Sequence, residues 1–425
     1  MERCVGKDLM KKIILIIPKD DIGFEPLVYA PLGLLYIAST LRDSKIFNVE
    51  VYDMREEENG IENVPKSEFY GITAVSSQIE DVKKISEKLK KENNAFVVLG
   101  GAAASWQSEE LKDYFDTVVI GEAENIVVDV FKNKTKGIVN ANLCSPMKAD
   151  DISFPARDLM ERKKIVNSKL WRGYGFGKNN GIMATTVISS RGCPFNCAFC
   201  GNLPQKIRFR SVGNIMKEVD YLMHEYGCDH FKLIDDNFVM KKSRLKILMK
   251  EFEKRNVKFR CNARSDSINE EICGWLEQGG CEEVGLGVET VDNSLLKMLN
   301  KKETVEQHKD AIRLLRKYRI RSKIFLLLGL PGETWGTIEE IKKFIIEVNP
   351  DTWIVSLFTP YPGCDMYFNP EKFGFQIVEK DYSKYYQTFP ARSNIETENT
   401  KREEFEMHHK EIVNFLEKYK IERER

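Results

Sequence analysis

The strongest signal in this sequence is the stretch Arg191-Gly192-Cys193-Pro194-Phe195-Asn196-Cys197-Ala198-Phe199-Cys200, which directly follows a strand-like run. Its cysteines have the spacing C-x3-C-x2-C. Thiolates are the usual ligands of iron–sulfur clusters, which generally have four protein ligands. Only three cysteines lie here, and the next one is Cys228. We therefore predict that Cys193, Cys197 and Cys200 bind a cluster with one iron left open for reactive chemistry.

Six strand-like runs alternate with helical patterns in this part of the chain. The predicted strands are Thr185–Ser189, Phe231–Ile234, Phe259–Cys261, Glu283–Val288, Lys323–Leu328 and Thr352–Leu357. Such alternation predicts an open, partial (β/α)6 barrel over residues 181–365, with its sites at the C-terminal ends of the strands. Residues 366–425 are predicted to be a helical extension, in which His408 and His409 are expected to be solvated surface residues.

The N-terminal part shows the same alternation and predicts an α/β fold with a doubly wound parallel sheet over residues 1–145. The predicted strands are Lys12–Pro18, Asn48–Asp53, Phe69–Ser76, Ala95–Gly101 and Asp116–Gly121. Ligands of such sheets bind beyond the carboxyl ends of the strands. Those ends carry Ser76 and Ser77, Gly100 and Gly101, and Gly121 and Glu122. The less regular stretch Asn133–Asn180 predicts a linker over residues 146–180.

Composition limits the function classes. Lys plus Arg and Asp plus Glu both number 65, so net charge favours neither nucleic acid nor an anionic membrane. No run approaches the ~18 apolar residues of a membrane span. Met1–Lys12 lacks a signal-peptide pattern, so the ten cysteines indicate the reducing cytoplasm. The cysteines outside the triad are predicted to be buried: Cys4, Cys144, Cys228, Cys261, Cys273, Cys281 and Cys364.

The cysteine stretch resembles the signature of the radical S-adenosylmethionine (SAM) superfamily, in which Phe199 holds the position of an aromatic residue. The resemblance implies a [4Fe-4S] cluster whose open iron binds the amino and carboxylate groups of SAM. One-electron reduction would then release methionine and a 5′-deoxyadenosyl radical. It also implies an external one-electron reductant of the flavodoxin or ferredoxin type.

Further segments resemble the SAM-binding strand ends of the same family. They contain Asp235 and Asp236, Arg264, Glu289, and Gly329 with Pro331. By this resemblance, a polar residue after the second strand binds the SAM amino group and Arg264 reaches the carboxylate. Glu289 would bind the ribose or the amino group, and the Gly329–Pro331 loop would pack near the adenine.

The N-terminal block resembles the cobalamin-binding domain of cobalamin-dependent radical SAM enzymes. The matching segments are Ala30-Pro31-Leu32-Gly33-Leu34, Ser76-Ser77, Leu99-Gly100-Gly101 and Gly121-Glu122-Ala123-Glu124. The resemblance implies that these strand ends hold cobalamin. A flavodoxin-like domain without a cofactor remains an alternative, because doubly wound sheets share these glycines.

One departure concerns the lower axial ligand of cobalt. Many cobalamin domains use a D-x-H-x-x-G loop, but the second predicted strand ends Asp53-Met54-Arg55-Glu56-Glu57, without His. The first histidine of the chain is His224. A bound cobalamin is therefore predicted to have a lower face that no His ligates.

These features favour a SAM- and cobalamin-dependent C-methyltransferase acting on a small molecule or peptide that the sequence does not identify. Radical cyclisation, ring contraction or epimerisation is an alternative, and for an epimerase Cys261, Cys281 or Cys364 is a candidate hydrogen donor. Two further alternatives are an electron-transfer protein without a substrate and a structural zinc site. Four aromatic residues were candidates for either the barrel mouth or the core: Trp171, Tyr174, Tyr361 and Tyr367.

Overall fold

The computed structural model describes residues 10–19, 27–57, 60–171, 181–201, 206–385 and 391–424. The chain divides into two compact units, Met1–Ile165 and Val166–Arg425. Each unit is built on one six-stranded parallel sheet. The predicted α/β class, with an N-terminal doubly wound sheet followed by a partial barrel, is confirmed.

The first unit has the strand order β2-β1-β3-β4-β5-β6. Its strands are β1 (Lys11–Ile17), β2 (Phe47–Asp53), β3 (Phe69–Thr73), β4 (Phe96–Gly100), β5 (Thr117–Ile120) and β6 (Gly137–Asn140). Its helices are α1 (Leu32–Asp43), α2 (Ile79–Asn93), α3 (Ala102–Trp106), α4 (Ser108–Leu111), α5 (Val127–Asn133) and α6 (Arg162–Ile165). The order reverses between β1 and β3, and this switch point is where doubly wound sheets bind ligands.

Strand β1 lies in the middle of this unit because its sequence, KKIILII, is apolar from its third residue onward. A strand covered by helices on both faces favours such a continuous apolar run. Helix α2 is instead amphipathic, with Ile79, Val82, Ile85 and Leu89 buried on one side and charged residues on the other.

The predicted linker belongs to both units. Strand β6 lies in the stretch expected to be irregular, and this expectation was wrong. Its four residues are all exposed or half-buried, so they lack the apolar run that marks a strand in the sequence. The first part of the linker packs on the first unit, where Ala156 N donates to Leu35 O at 3.0 Å. The unit boundary follows Ile165.

The second unit has the strand order β14-β13-β12-β11-β10-β7. Its parallel strands are β7 (Ala184–Val187), β10 (His230–Leu233), β11 (Lys258–Ala263), β12 (Cys281–Glu289), β13 (Arg321–Leu328) and β14 (Thr352–Leu357). Short antiparallel pairs are formed by β8 (Ser190–Arg191) with β9 (Arg208–Phe209), and by β15 (Phe375–Ile377) with β16 (Ile395–Thr397). The helices are α7 (Val212–Tyr226), α8 (Lys242–Lys254), α9 (Glu270–Gln278), α10 (Asn293–Met298), α11 (Val305–Lys317), α12 (Trp335–Val348), α13 (Asp365–Phe368) and α14 (Arg402–Glu424).

The two faces of the barrel sheet differ in chemistry. Phe259 of β11 packs against Phe252 of α8, with ring centroids 5.3 Å apart, so this side of the sheet faces the helices. Side chains alternate along a strand, and Arg260 and Asn262 therefore point to the inner face. The helix-facing residues are apolar and buried, whereas the inner face carries charged and amide groups.

Two sequence expectations fail in the packing. His408 and His409 are 0% and 7% exposed, because helix α14 packs across β13 and β14 rather than standing in solvent. Cys144 is exposed, whereas Cys228, Cys261, Cys273, Cys281 and Cys364 are buried as predicted. Cys4 and Tyr174 lie outside the described residues. Within the described ranges no helix is long and apolar enough to cross a membrane.

Candidate active site

The predicted cluster ligands lie on one loop at the C-terminal end of the first barrel strand. Strand β7 ends at Val187, and the loop follows the short strand β8. Within it, Cys200 N donates to Cys197 O at 3.0 Å. The three thiols are partly exposed: Cys193, Cys197 and Cys200. The loop therefore presents its thiols at the edge where barrel folds carry their sites.

Neighbouring segments anchor this cysteine loop. Ala198 N donates to Leu299 O at 2.8 Å, and Met366 N donates to Ala198 O at 3.0 Å. The Asn300 amide donates to Asn196 O at 3.0 Å. Contacts from two distant parts of the chain thus fix the loop without using the thiols.

Lys301 supplies a buried cation beside the thiols. Its ammonium lies 3.2 Å from Glu289 and 3.3 Å from Glu303. Burial raises the pKa of Cys197, while the charges of Lys301 and Arg264 act to lower it. The two cations therefore favour the thiolate form that a metal ligand requires.

Arg264 packs directly on the cysteine loop. Its guanidinium carbon lies 3.8 Å from the centroid of the Phe195 ring. Its Nη2 donates to Asp266 Oδ2 at 2.8 Å and to Lys301 O at 2.7 Å. The structure thus places Arg264 in the predicted site, where its guanidinium already donates hydrogen bonds to Asp266 and Lys301.

The two aspartates after β10 have different surroundings. Asp235 is buried, and its carboxylate accepts hydrogen bonds from the hydroxyls of Ser189 and Ser190. Burial raises the pKa of Asp235, and these hydrogen bonds act to lower it. Asp236 is exposed. Asp235 therefore supports the chain just before the cysteine loop, and Asp236 has the accessible carboxylate.

The loop after β13 is closed by its own residues. Gly329 has a φ of +74°, and a Cβ at this position would lie 2.8 Å from Leu357 Cδ1. Gly329 N donates to Glu333 Oε1 at 2.9 Å, and Pro331 is buried between them. Only glycine combines this backbone conformation with such close packing.

In the first unit, serines and glycines gather at the carboxyl edge of the sheet. Ser76 is buried and Ser77 half-buried in a short turn after β3. Gly101 has a φ of +92°, and its Cβ would lie 2.8 Å from Ala74 O. A Cβ on Gly100 would meet nothing within 4 Å. This edge therefore leaves open space next to Gly100.

The next strand end is also formed by glycine. Gly121 has a φ of +84°, a Cβ there would collide with the Asn142 amide, and Glu122 beside it is half-buried. Farther along the edge, Asp53 is engaged by Arg55 at 2.8 Å and by Lys164 at 3.5 Å. These partners lower the pKa of Asp53 against the opposing effect of its burial.

Both regions match known families. Residues 187–345, which include the cysteine loop, match the model of the Radical SAM superfamily. Residues 26–131, which include the serine and glycine edge, match the B12 binding domain. The chain is a radical SAM enzyme with a B12 binding domain.

Two curated relatives and one solved structure resemble this radical SAM enzyme. An uncharacterized methyltransferase of Pyrococcus horikoshii is 28% identical, over 84% of this chain and 82% of the relative. The anaerobic magnesium-protoporphyrin IX monomethyl ester cyclase of Rubrivivax gelatinosus is 27% identical over 75% of this chain but only 61% of its own length. The radical SAM methyltransferase TsrM of Kitasatospora setae has a TM-score of 0.66 at 16% identity, covering 88% of this chain and 81% of that chain, which shows a common fold.

The cysteine loop fits an iron–sulfur cluster by its donor set. It offers three thiols beside two cations, and thiolates are the ligands that such clusters require. In the part of the chain that the structure describes, no three Cys, His, Asp or Glu converge closely enough to hold a single metal ion. A [4Fe-4S] cluster bonds each thiolate to a different iron, so its ligands stand farther apart than those of one ion.

The glycine edge fits a large cofactor because no protein atom lies within 4 Å of the position that a Cβ on Gly100 would take. Ser76 and Ser77 supply hydroxyls at the same edge. The sequence contains no histidine before His224. A lower cobalt face without a His ligand therefore stays a prediction.

A cysteine distant in sequence approaches the loop. Cys364 follows β14, is 1% exposed, and is close enough to Cys200 to interact with it electrostatically. Burial raises the pKa of Cys364 to about 11, and the charge of Cys200 adds to the rise. Spacing along the chain alone predicts the open iron, so substitution of Cys364 is a direct test of that prediction.

Lys301 was not among the residues predicted from the sequence, and Trp171, predicted to line the barrel mouth or to pack in the core, lies in the core. Lys301 stands in the polar run Asn300-Lys301-Lys302, where no local pattern separates it from the exposed Lys302. Trp171 is fully buried at the opposite end of the barrel from the cysteine loop, with its indole N donating to Glu282 at 2.7 Å and Arg260 stacked 4.4 Å from its ring. It therefore closes the bottom of the barrel and does not line the mouth.

Proposed function

We propose that this radical SAM enzyme is a cobalamin-dependent methyltransferase that methylates an unactivated carbon of a small molecule or peptide. The observation that carries the proposal is the presence, in one chain, of a three-cysteine radical SAM loop and a B12 binding domain. A relative matched along most of its length is named a methyltransferase, which supports the same reaction class.

When bound, the cluster supplies the electron that cleaves SAM, and cobalamin carries the methyl group. The chain's own residues hold and orient these groups. Cys193, Cys197 and Cys200 would bind the cluster, with Lys301 and Arg264 offsetting the cost of their negative charge. Both cations are buried, so their effect is little weakened by solvent.

The remaining predicted contacts to SAM come from strand ends on the same unit. Asp236 has an exposed carboxylate for the amino group, and Glu289 stands at the end of β12 with a φ of +64°. That left-handed conformation is uncommon for a residue other than glycine and directs a side chain away from the regular strand path. Gly329 and Pro331 would form the apolar contact for the adenine ring.

In the first unit, Gly100 and Gly101 would let the backbone approach the cofactor closely. Ser76 and Ser77 would donate hydrogen bonds to it, while Gly121 and Glu122 border the same edge. Each of these roles is a prediction that substitution can test.

The test is anaerobic incubation of the cluster- and cobalamin-loaded enzyme with SAM carrying a deuterated methyl group and candidate substrates. A one-electron reductant is required, either a flavodoxin or ferredoxin system or a chemical reductant. We expect 5′-deoxyadenosine together with a product heavier by the deuterated methyl group. Deoxyadenosine without any methylated product contradicts methyl transfer and leaves radical chemistry standing.

A cyclisation remains the second candidate, because a relative that matches 75% of this chain is named a cyclase. An unlabelled product with altered ring connectivity in the same incubation would favour it. Of the three cysteines considered as hydrogen donors for epimerisation, Cys261 is fully buried on the helix-facing side of β11 and forms a pair with Cys281. Cys281 and Cys364 are buried as well, so burial does not single out one donor among the three.

A further inference from the structure

The inner face of the barrel sheet carries charges at two levels. At the lower level, near the beginnings of the strands, Glu283 lies 3.7 Å from Arg260 and 4.0 Å from Arg321. Thr352 also donates to Glu283 at 3.2 Å. Trp171 closes this level from below through its contact with Arg260. Glu283 thus balances part of the positive charge of the two arginines, and this group forms a structural floor.

Two lysines also face the interior, one at this level and one a level above it toward the cysteine loop. Lys232 of β10 and Lys323 of β13 alternate with the buried apolar residues that face the helices. The register aligns Asn262, Gly285 and Lys323 across β11, β12 and β13. Lys232 aligns with Arg260, one inner-face position lower, and its side chain reaches Asn262. The Asn262 amide and the Phe325 ring cover Gly285 between the two lysines.

Neither lysine has a carboxylate partner within the described ranges. The Lys232 ammonium donates to the neutral amide oxygen of Asn262 at 3.0 Å. The Lys323 ammonium lies 5.7 Å from the centroid of the Phe325 ring. Glu283 attracts both lysines electrostatically, but it also lies beside Arg260 and Arg321. Glu289 is paired with Lys301. The inner face therefore has an excess of positive charge.

Burial makes that excess costly. It lowers the pKa of Lys232 to about 8, and the neighbouring Lys323 and Arg260 lower it further against the opposing charges of Cys261 and Glu283. Burial likewise lowers the pKa of Lys323. Both side chains still retain some accessible surface. Two desolvated ammonium groups that remain reachable are the groups an anion would stabilise.

We propose that Lys232 and Lys323 form an anion subsite inside the barrel, and that the substrate carries a carboxylate or phosphate group that binds there. This inference rests on the proposed function, since it takes the barrel interior to be the substrate site. Lysine donors are point charges on flexible stems, so they suit either anion. The anion would fix one end of the substrate below the cysteine loop and leave its reacting carbon toward the open end.

The test measures binding to the cluster- and cobalamin-loaded full chain by anaerobic calorimetry at constant ionic strength. The probes are phenylphosphonate, benzoate and the neutral benzyl alcohol. We expect the enzyme to bind at least one anion and to bind benzyl alcohol at least tenfold more weakly. Binding of phenylphosphonate alone indicates a phosphate-type group, and binding of benzoate alone indicates a carboxylate; either supports the subsite.

Lys232→Met and Lys323→Met should each weaken anion binding at least tenfold. Lys343→Met is the matched control, because Lys343 is exposed on α12 and pairs with Glu340 at 2.7 Å. Lys232→Gln and Lys323→Gln, checked for iron content and circular dichroism, serve if a methionine variant does not fold. The proposal is overturned if no anion binds, if benzyl alcohol binds equally, or if the lysine variants bind like wild type. Binding requires no turnover, so failure of methyl transfer gives a separate result.

Discussion

Glu333 and His408 form a fully buried pair, with Glu333 Oε1 2.9 Å from His408 Nδ1 and both side chains 0% exposed. The same carboxylate oxygen accepts the hydrogen bond from Gly329 N. Trp335 covers the imidazole, with ring centroids 4.5 Å apart. The pair therefore connects the last helix, α14, to the loop after β13. Helix α14, which the sequence suggested would be solvated, is therefore part of the barrel unit.

Replacing His408 with Phe should destabilise this connection. The substitution removes the side-chain partner of the buried Glu333 carboxyl, and a buried polar group that loses its partner costs about 1–3 kcal/mol. We expect a lower unfolding midpoint in denaturant for His408→Phe. Met407→Ala on the same helix is the control, since Met407 is 51% exposed and should change stability by less than about 0.5 kcal/mol. Equal midpoints for wild type and His408→Phe would contradict the role assigned to the pair.

Replacing a cluster ligand should abolish cluster binding. Cys200→Ala is expected to lose most of its iron and its SAM-dependent change in the electron paramagnetic resonance spectrum, because the protein supplies only three thiolates. Cys364→Ala is the informative comparison, since that buried thiol lies near Cys200. It should keep its iron and still respond to SAM. Loss of the cluster in Cys364→Ala would identify a fourth ligand and remove the case for an open iron.

Substitutions at two adjacent glycines should affect folding and cofactor binding separately. Gly101→Ala places a methyl group 2.8 Å from Ala74 O at a positive φ, so we expect destabilisation of more than about 1 kcal/mol. Gly100→Ala meets no protein atom within 4 Å and should leave stability nearly unchanged. It should nevertheless weaken cobalamin binding, measured by absorbance after gel filtration. Wild-type cobalamin retention in Gly100→Ala would mean that the cofactor does not approach this edge.

Acid should destabilise the enzyme partly through His308. This residue is fully buried, with Nδ1 2.8 Å from Ser265 Oγ, and burial together with the charges of Lys301 and Arg264 lowers its pKa to about 3. The unfolded chain, with a His pKa of about 6.5, takes up the proton first as pH falls. The contribution of neutral His308 to the free energy of unfolding is therefore fully present above about pH 6.5. It is lost as pH falls toward 3, by up to about 1.4 kcal/mol per pH unit.

His308→Gln should make the unfolding midpoint less dependent on pH between 7.5 and 5.5. His224→Gln is the control, because His224 has a side chain that is 86% exposed. An identical pH dependence in wild type and His308→Gln would show that other groups cause the acid sensitivity.

The elements of the fold were largely predictable because their signals are local. The run KIILII and the spacing of Ile79, Val82, Ile85 and Leu89 specify a buried strand and an amphipathic helix within a few residues. Strand β6 was not predictable, because a short edge strand with four partly exposed residues resembles a loop. His408 was misjudged for a related reason: an isolated buried polar residue has no periodic pattern to reveal it.

By itself the sequence determined the cysteine triad, the alternation of strands and helices, and the absence of histidine before His224, since each is a matter of residue type and spacing. The tertiary structure alone decided which charges meet. Lys301 reaches the thiol loop, Cys364 approaches Cys200, and Lys232 donates to Asn262 only because folding brings distant strands side by side. Electrostatic interactions depend on distance and burial in space, and neither quantity is contained in the order of residues along the chain.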